Sequence, residues 1–267
     1  MTPPRWTQPR TIAIVNQKGG VGKTTTTINL GAALAESGRR VLIIDLDPQG
    51  NASTGLAVED RSKTTYDLLL EGADLADVVQ NTAIEHLSIA PATTDLSSAD
   101  MEMMNNEGRS FLLRNALTKG DVAKNFDVVL IDCPPSLSLL TVNAMVAANS
   151  ILVPLQSEFF ALEGLSQLLL TVRQIRIAAN PGLRIEGVVL TMFDGRNNLA
   201  QQVEADARET LGELVFRTIV PRNVRVSEAP SFGQSVLTYD SGSKGSLAYR
   251  ALAQELTGET TEVSAKP

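Results

Sequence analysis

TIAIVNQKGGVGKTTTT, residues 11–27, decides the fold. Its first six residues form a short apolar, β-branched run, the pattern of a buried strand. Glycines at 19, 20 and 22 follow at once. From Thr24 to about Ser37 the composition is helical, with Gly38 as a stop. Strand, glycine-rich turn and helix in that order frame a phosphate-binding loop. Glycine lets the backbone wrap a phosphate closely and aim its N–H groups inward, and the following helix N-terminus adds its dipole. Gly19, Gly20, Val21 and Gly22 are the expected cradle. Lys23 is the counter-charge to β- and γ-phosphates, the Thr24 hydroxyl a ligand for Mg²⁺, and Thr25 a donor toward an α-phosphate. The usual spacing G-x-x-x-x-G-K-[ST] is broken in one place. The first glycine is replaced by Gln17, and a second lysine, Lys18, stands ahead of the run.

Outward from this unit, apolar runs at 41–47, 87–91, 126–132, 150–155, 184–193 and 214–220 predict further strands. Helical patterns fill 64–80 (two short helices), 93–118, 137–148, 161–179, 197–211 and 245–256, while 48–63 reads as a Gly/Asn/Ser/Thr-rich loop. Alternation of this kind implies parallel strands joined by right-handed crossovers. The expected fold is α/β: a single doubly wound, mostly parallel sheet of about seven strands flanked by helices, binding ligands at the C-terminal strand ends. Residues 1–9 are expected to be a flexible leader, 10–257 one nucleotide-binding domain and 258–267 a polar tail.

Carboxylates stand at two of those strand ends. Asp45 and Asp47, in DLDPQGN, are two residues apart and so point to one side of an extended chain. Asp132 ends VVLIDCPP, an apolar strand closed by an acid, the Walker B pattern that holds Mg²⁺ directly or through water. Strand-end capping is the alternative for each acid alone. Their coincidence with one phosphate loop favours the nucleotide reading.

The 267 residues are 43% hydrophobic and carry a net charge of −7, so the chain is no bulk polycation and any nucleic-acid contact must be a local patch. One cysteine, Cys133, excludes an internal disulfide framework and any four-cysteine metal site in one chain. MTPPRWTQPR has no apolar signal core, and TGETTEVSAKP forms no basic amphipathic helix, so neither a signal peptide nor a membrane anchor is expected. Residues 184–225 hold six arginines and six acids, but between Leu214 and Ser227 stand Arg217, Arg222 and Arg225 with no acid. Arg196 lies in a loop, FDGRNN. His86 reads as a surface or structural residue, Cys133 as packing, and the methionines of ADMEMM (99–104) as core with a partner contact as the alternative.

KGGVGKTT, DLDPQGN, LIDCPP and PRNVRVSEAPS (221–231) together resemble the ParA/Soj family of deviant-Walker ATPases that segregate bacterial chromosomes and plasmids, over about residues 10–256. The resemblance implies ATP and Mg²⁺ as cofactors and a homodimer in the ATP state. Lys18 would reach across the two-fold axis to the partner's nucleotide, acting in catalysis with Lys23 and with Asp47, which positions the attacking water. Asp45 and Asp132 would join Thr24 around the metal. Pro221 and Asn223 would hold the adenine, with Met192, and Phe193 beside it, near the base. Arg196 and Arg225 would bind double-stranded DNA without sequence preference, joined by Arg217 and Arg222 of the acid-free run. A ParB-type centromere-binding protein would accelerate a slow hydrolysis, and the protein would be cytoplasmic and nucleoid-associated. About ten residues precede the first strand, which leaves no room for an operator-reading domain. The alternatives are a MinD/ParA-like positioning switch for another cargo, a dethiobiotin-synthetase-like metabolic enzyme, and an ATP-binding scaffold that never hydrolyses. Asp47 argues against the last. The related nitrogenase-iron-protein branch needs two cysteines per chain.

Overall fold

The structure, a computed structural model, describes residues 9–104, 106–119, 122–158 and 161–258. The predicted leader and tail, with Trp6, fall outside the described residues except at positions 9 and 258. The strands are β1 (Arg10–Ile14), β2 (Val41–Asp45), β3 (Gln80–Asn81), β4 (Leu87–Ala90), β5 (Val128–Asp132), β6 (Ser150–Gln156), β7 (Arg184–Phe193) and β8 (Val215–Pro221). They form one sheet in the order β3-β4-β2-β5-β1-β6-β7-β8. Every pairing is parallel except that of β3 with β4.

Central strands of such a sheet are covered on both faces, so they read as continuous apolar runs. All five residues of β2 and of β5 are buried. Alternate side chains still divide between two cores: Leu42 and Ile44 pack into one, Val41 and Ile43 into the other. Helices α1 (Lys23–Glu36), α2 (Asn51–Gly55), α9 (Val224–Glu228), α10 (Val236–Tyr239) and α11 (Lys244–Thr257) cover the second face. Helices α3 (Leu75–Val78), α4 (Leu96–Met103), α5 (Leu112–Thr118), α6 (Leu139–Ala147), α7 (Ala161–Ala178) and α8 (Asn198–Leu211) cover the first.

Four local features differ from the sequence expectation or add to it. The sheet has eight strands, because Gln80–Asn81 pairs antiparallel at the edge and two residues carry no periodicity signal. The helical stretch 93–118 is divided into α4 and α5. Asn106 breaks it by accepting the Gly108 N–H at 2.8 Å, a side-chain turn that competes with helix. The loop 48–63 contains α2. The stretch between β8 and α11, which carries no clear pattern in the sequence, holds α9, a 3₁₀ turn (Ala229–Phe232) and α10. Among the described residues no helix is long and apolar enough to cross a membrane.

Candidate functional site

β1 lies between β5 and β6, and the chain leaves its C-terminal end straight into the glycine loop and α1. Gly20 and Gly22 have φ of +74° and +87°, a left-handed backbone that side chains resist. A Cβ on Gly22 would also stand 3.6 Å from the Met192 methyl. Three tethers fix the loop. Asn16, buried, donates to Pro154 O of β6 at 2.8 Å and accepts from Lys18 N at 3.0 Å. Thr191 Oγ1 of β7 donates to Val21 O at 2.8 Å. The Lys23 ammonium donates to Lys18 O at 3.1 Å, closing the loop on itself. Val21 therefore contributes a buried side chain and an anchored carbonyl, while Gly19, Gly20, Gly22, Lys23, Thr24 and Thr25 line an open cavity of about 270 Å³. Asp47, Gln49, Asn51, Pro135 and Met192 complete its wall.

The acids sit at graded depth. Asp47 is on the cavity wall, its Oδ1 accepting from Gln49 N at 3.0 Å. Asp45 and Asp132 are register partners on β2 and β5, both fully buried. Asp45 is held by Ser53, whose hydroxyl donates at 2.7 Å and whose N–H donates at 2.9 Å, and by Asp47 N at 3.2 Å. Asp132 Oδ1 accepts from Thr27 Oγ1 at 3.0 Å, and its Oδ2 has no hydrogen-bond partner among the described residues. Burial pushes the Asp45 carboxyl up to about 6 against the opposing Ser53 bonds. Burial and then the neighbouring Asp45 push Asp132 up to about 8. Burial also lowers Lys23, against the Asp132 charge that raises it. A buried carboxylate oxygen with nothing to satisfy it, beside a half-buried threonine hydroxyl at a helix start, suits a hard divalent cation.

A second cavity of about 340 Å³ shares Gly22, Thr25 and Met192 with the first and continues past Thr191, Val220, Pro221, Arg222, Asn223, Val226, Ser227, Pro230 and Tyr249. The structure thus joins Met192, Pro221 and Asn223 to the glycine loop in one continuous groove. Met192 has φ +50°, unusual for a residue with a side chain. Asn223 caps α9 by accepting from Arg225 N at 2.8 Å. Phe193 does not line this cavity; its carbonyl accepts from Arg222 N at 2.9 Å.

Lys18 is half-exposed and ion-paired with Glu158 of the same chain. Arg196, Arg222 and Arg225 all follow the C-terminal ends of β7 and β8. Arg217 does not join them: it sits at the start of β8, where Glu255 of α11 accepts its N–H at 2.7 Å. His86 is an exposed turn residue, and Cys133 is buried in the core. Of the clustered methionines, Met103 is core while Met101 and Met104 are 74% and 63% exposed. Asn16, Ser53 and Thr191 escape sequence reasoning because each acts through hydrogen bonds to elements apart from it in sequence; only their place beside motif residues hinted at them.

A family model described as AAA domain matches residues 9–185. The chain is 52% identical to the chromosome partitioning protein ParA of Caulobacter vibrioides, covering 96% of this chain and 97% of that protein. It is 49% identical to the sporulation initiation inhibitor protein Soj of Bacillus subtilis, covering 92% and 97%. Among solved structures, one described as cobyrinic acid a,c-diamide synthase from Mycobacterium smegmatis with bound ADP and magnesium superposes with a TM-score of 0.79 at 36% identity, over 92% of this chain and 93% of that one.

Proposed function

The chain belongs to the ParA/Soj family and is a P-loop ATPase of ParA type, and we propose that it is an ATP-driven DNA-partitioning protein whose binding to duplex DNA is switched by its nucleotide. The observation that carries this reading is the groove from the glycine cradle, past Met192, to Pro221 and Asn223, with Asp47 on its wall and Asp45 and Asp132 buried behind it. ATP would lie in it with phosphates against Gly19–Thr25 and base against Met192, Pro221 and Asn223. Thr24 and Asp132 would hold Mg²⁺, which when bound would neutralise phosphate charge. Asp45 sits behind them and orders the loop that carries Asp47. Asp47 positions water for hydrolysis. Lys23 leaves the Lys18 carbonyl for the phosphates. Lys18 exchanges Glu158 for the nucleotide of a second copy, so ATP favours the dimer.

The dimer doubles the arginine contacts to duplex phosphates, and affinity rises steeply with contact number. A ParB-type protein accelerates hydrolysis and resets the cycle, and the protein associates with the nucleoid. The decisive experiment measures ATP hydrolysis with and without duplex DNA and a ParB-type protein, in wild type and Lys18→Ala. Stimulation by both partners, lost in the variant, is expected. Turnover that instead depends on a small acid or amine would establish a metabolic enzyme and refute the reading.

A further inference from the structure

Two of the arginines offered to DNA are already occupied. Arg196 is held three times by Asp194: its backbone N–H donates to Oδ1 at 3.1 Å, its Nε to Oδ1 at 2.9 Å and its Nη2 to Oδ2 at 2.8 Å. Arg225 Nη1 donates to Glu228 Oε2 at 2.9 Å, and its Nε lies 3.3 Å from Asp240 Oδ2. The Tyr239 hydroxyl donates to the same Glu228 oxygen at 3.3 Å, which fixes the clasp. Arg222 also bears on Asp194 through its charge, but no ion pair holds its side chain among the described residues. The Arg196 pair is planar and two-pronged, the same fork that a phosphate would take. Arg196 is nevertheless 91% exposed, so the pair stands in water where a phosphate can reach it.

We propose that Asp194, together with Glu228 and Asp240, is a built-in competitor for DNA phosphate, setting the duplex affinity of each protomer low enough for release. This rests on the DNA reading above. The geometry gives the device its character. Exposed ion pairs are weak, so a competing carboxylate tunes the arginine and does not block it. Asp194, two residues before Arg196, and Glu228, three after Arg225, are close enough in sequence to remain beside their arginines after a phosphate arrives, repelling that phosphate, while Asp240 reaches Arg225 from the end of α10. A single protomer then contributes little net charge at these positions, and only two protomers acting together hold the duplex.

The test is duplex binding by fluorescence anisotropy, in ATP, as a function of salt, for wild type, Asp194→Asn and Glu228→Gln/Asp240→Asn. Asparagine keeps an acceptor for the Arg196 backbone N–H, so the loop is retained. Each variant is expected to bind about two- to five-fold more tightly. The slope of log affinity against log salt is expected to steepen by up to about 0.9 per freed arginine in each protomer. In an Arg196→Ala background Asp194→Asn is expected to do nothing. An equal gain there would mark a general charge effect and overturn the proposal. So would unchanged or weaker binding by Asp194→Asn when Arg196→Ala alone weakens it. If Arg196→Ala and Arg225→Ala leave duplex binding intact, the DNA reading itself fails. The Glu228 and Asp240 variant decides the matter independently if Asp194→Asn does not fold.

Discussion

Ser53→Ala removes one hydroxyl that lies outside every motif, and the structure gives its cost. The Ser53 Oγ donates to Asp45 Oδ2 at 2.7 Å and accepts from Ala92 N at 3.0 Å, with Ser53, Asp45 and Ala92 all fully buried. Losing a hydrogen bond to a charged group costs about 1.5–3 kcal/mol, and leaving the Ala92 N–H without a partner costs about 1–3 kcal/mol more. The Ser53 N–H bond to the same carboxylate at 2.9 Å survives. We expect a loss near 3 kcal/mol, a large fraction of a stability of about 5–15 kcal/mol. Urea unfolding of the nucleotide-free protein measures it. Hydrolysis should fall as well, because Asp45 Oδ1 is tied to the Asp47 N–H. In an Asp45→Asn background the bond becomes neutral, and Ser53→Ala should cost about 1 kcal/mol less. A loss under about 0.5 kcal/mol, the range of an ordinary surface substitution, would refute the reasoning. So would the same loss in both backgrounds.

Gly245→Ala places a Cβ 2.3 Å from the Val226 Cγ2, so α9 must shift away from α11. The expected cost is about 1–3 kcal/mol by thermal unfolding, with weaker ATP binding by titration because Val226 lines the base end of the groove. Lys18→Ala should leave nucleotide affinity of the single chain unchanged and abolish the ATP-dependent dimer in sedimentation. A persisting dimer would refute the role in trans. For pH, Asp45 and Asp132 have folded-state values raised from 3.8 to about 6 and about 8, so the folded protein keeps protons that the unfolded chain releases. The nucleotide-free protein should therefore lose stability as pH rises from about 4 through 6 and on to 8, and Asp132→Asn should flatten the upper part of that loss in urea unfolding.

The loop and the alternation were legible because both are local. TIAIVNQKGGVGKTT contains its strand, its glycines and its helix start within one short stretch, and parallel order follows from connection rules. What the sequence could not carry is the side on which each strand inserts. β5 slides between β1 and β2, and this long-range choice puts Asp132 beside Asp45. Alternation along an extended chain puts Asp45 and Asp47 on one side, yet their roles diverge. Asp47 reaches the cavity while Ser53, eight residues on, draws Asp45 beneath it. The acid-free run from Leu214 to Ser227 misled for a related reason. A strand of seven residues spans it, so Arg217 and Arg222 emerge at opposite ends, and the acids that do meet Arg225 come from α9 and from the end of α10.

The balance of buried charge then explains why metal and nucleotide belong together at this site. Lys23 faces Asp47 and Asp132, with Asp45 directly beside Asp132. One ammonium stands among three carboxylates in a water-poor setting, where burial first and the neighbouring Asp45 second push Asp132 up to about 8. A nucleotide entering alone would bring phosphate charge against these acids. A divalent cation entering alone would find the unpartnered Asp132 oxygen but few other ligands. Entering as a pair, they add cation to the acids and phosphate to the glycine N–H groups and Lys23, so each removes the penalty the other would meet. The folded state alone gains from this, and saturation at about a hundred times Kd stabilises it by about 2.7 kcal/mol. The same buried acids that are expected to weaken the nucleotide-free protein as pH rises are therefore expected to make nucleotide binding depend on the divalent cation.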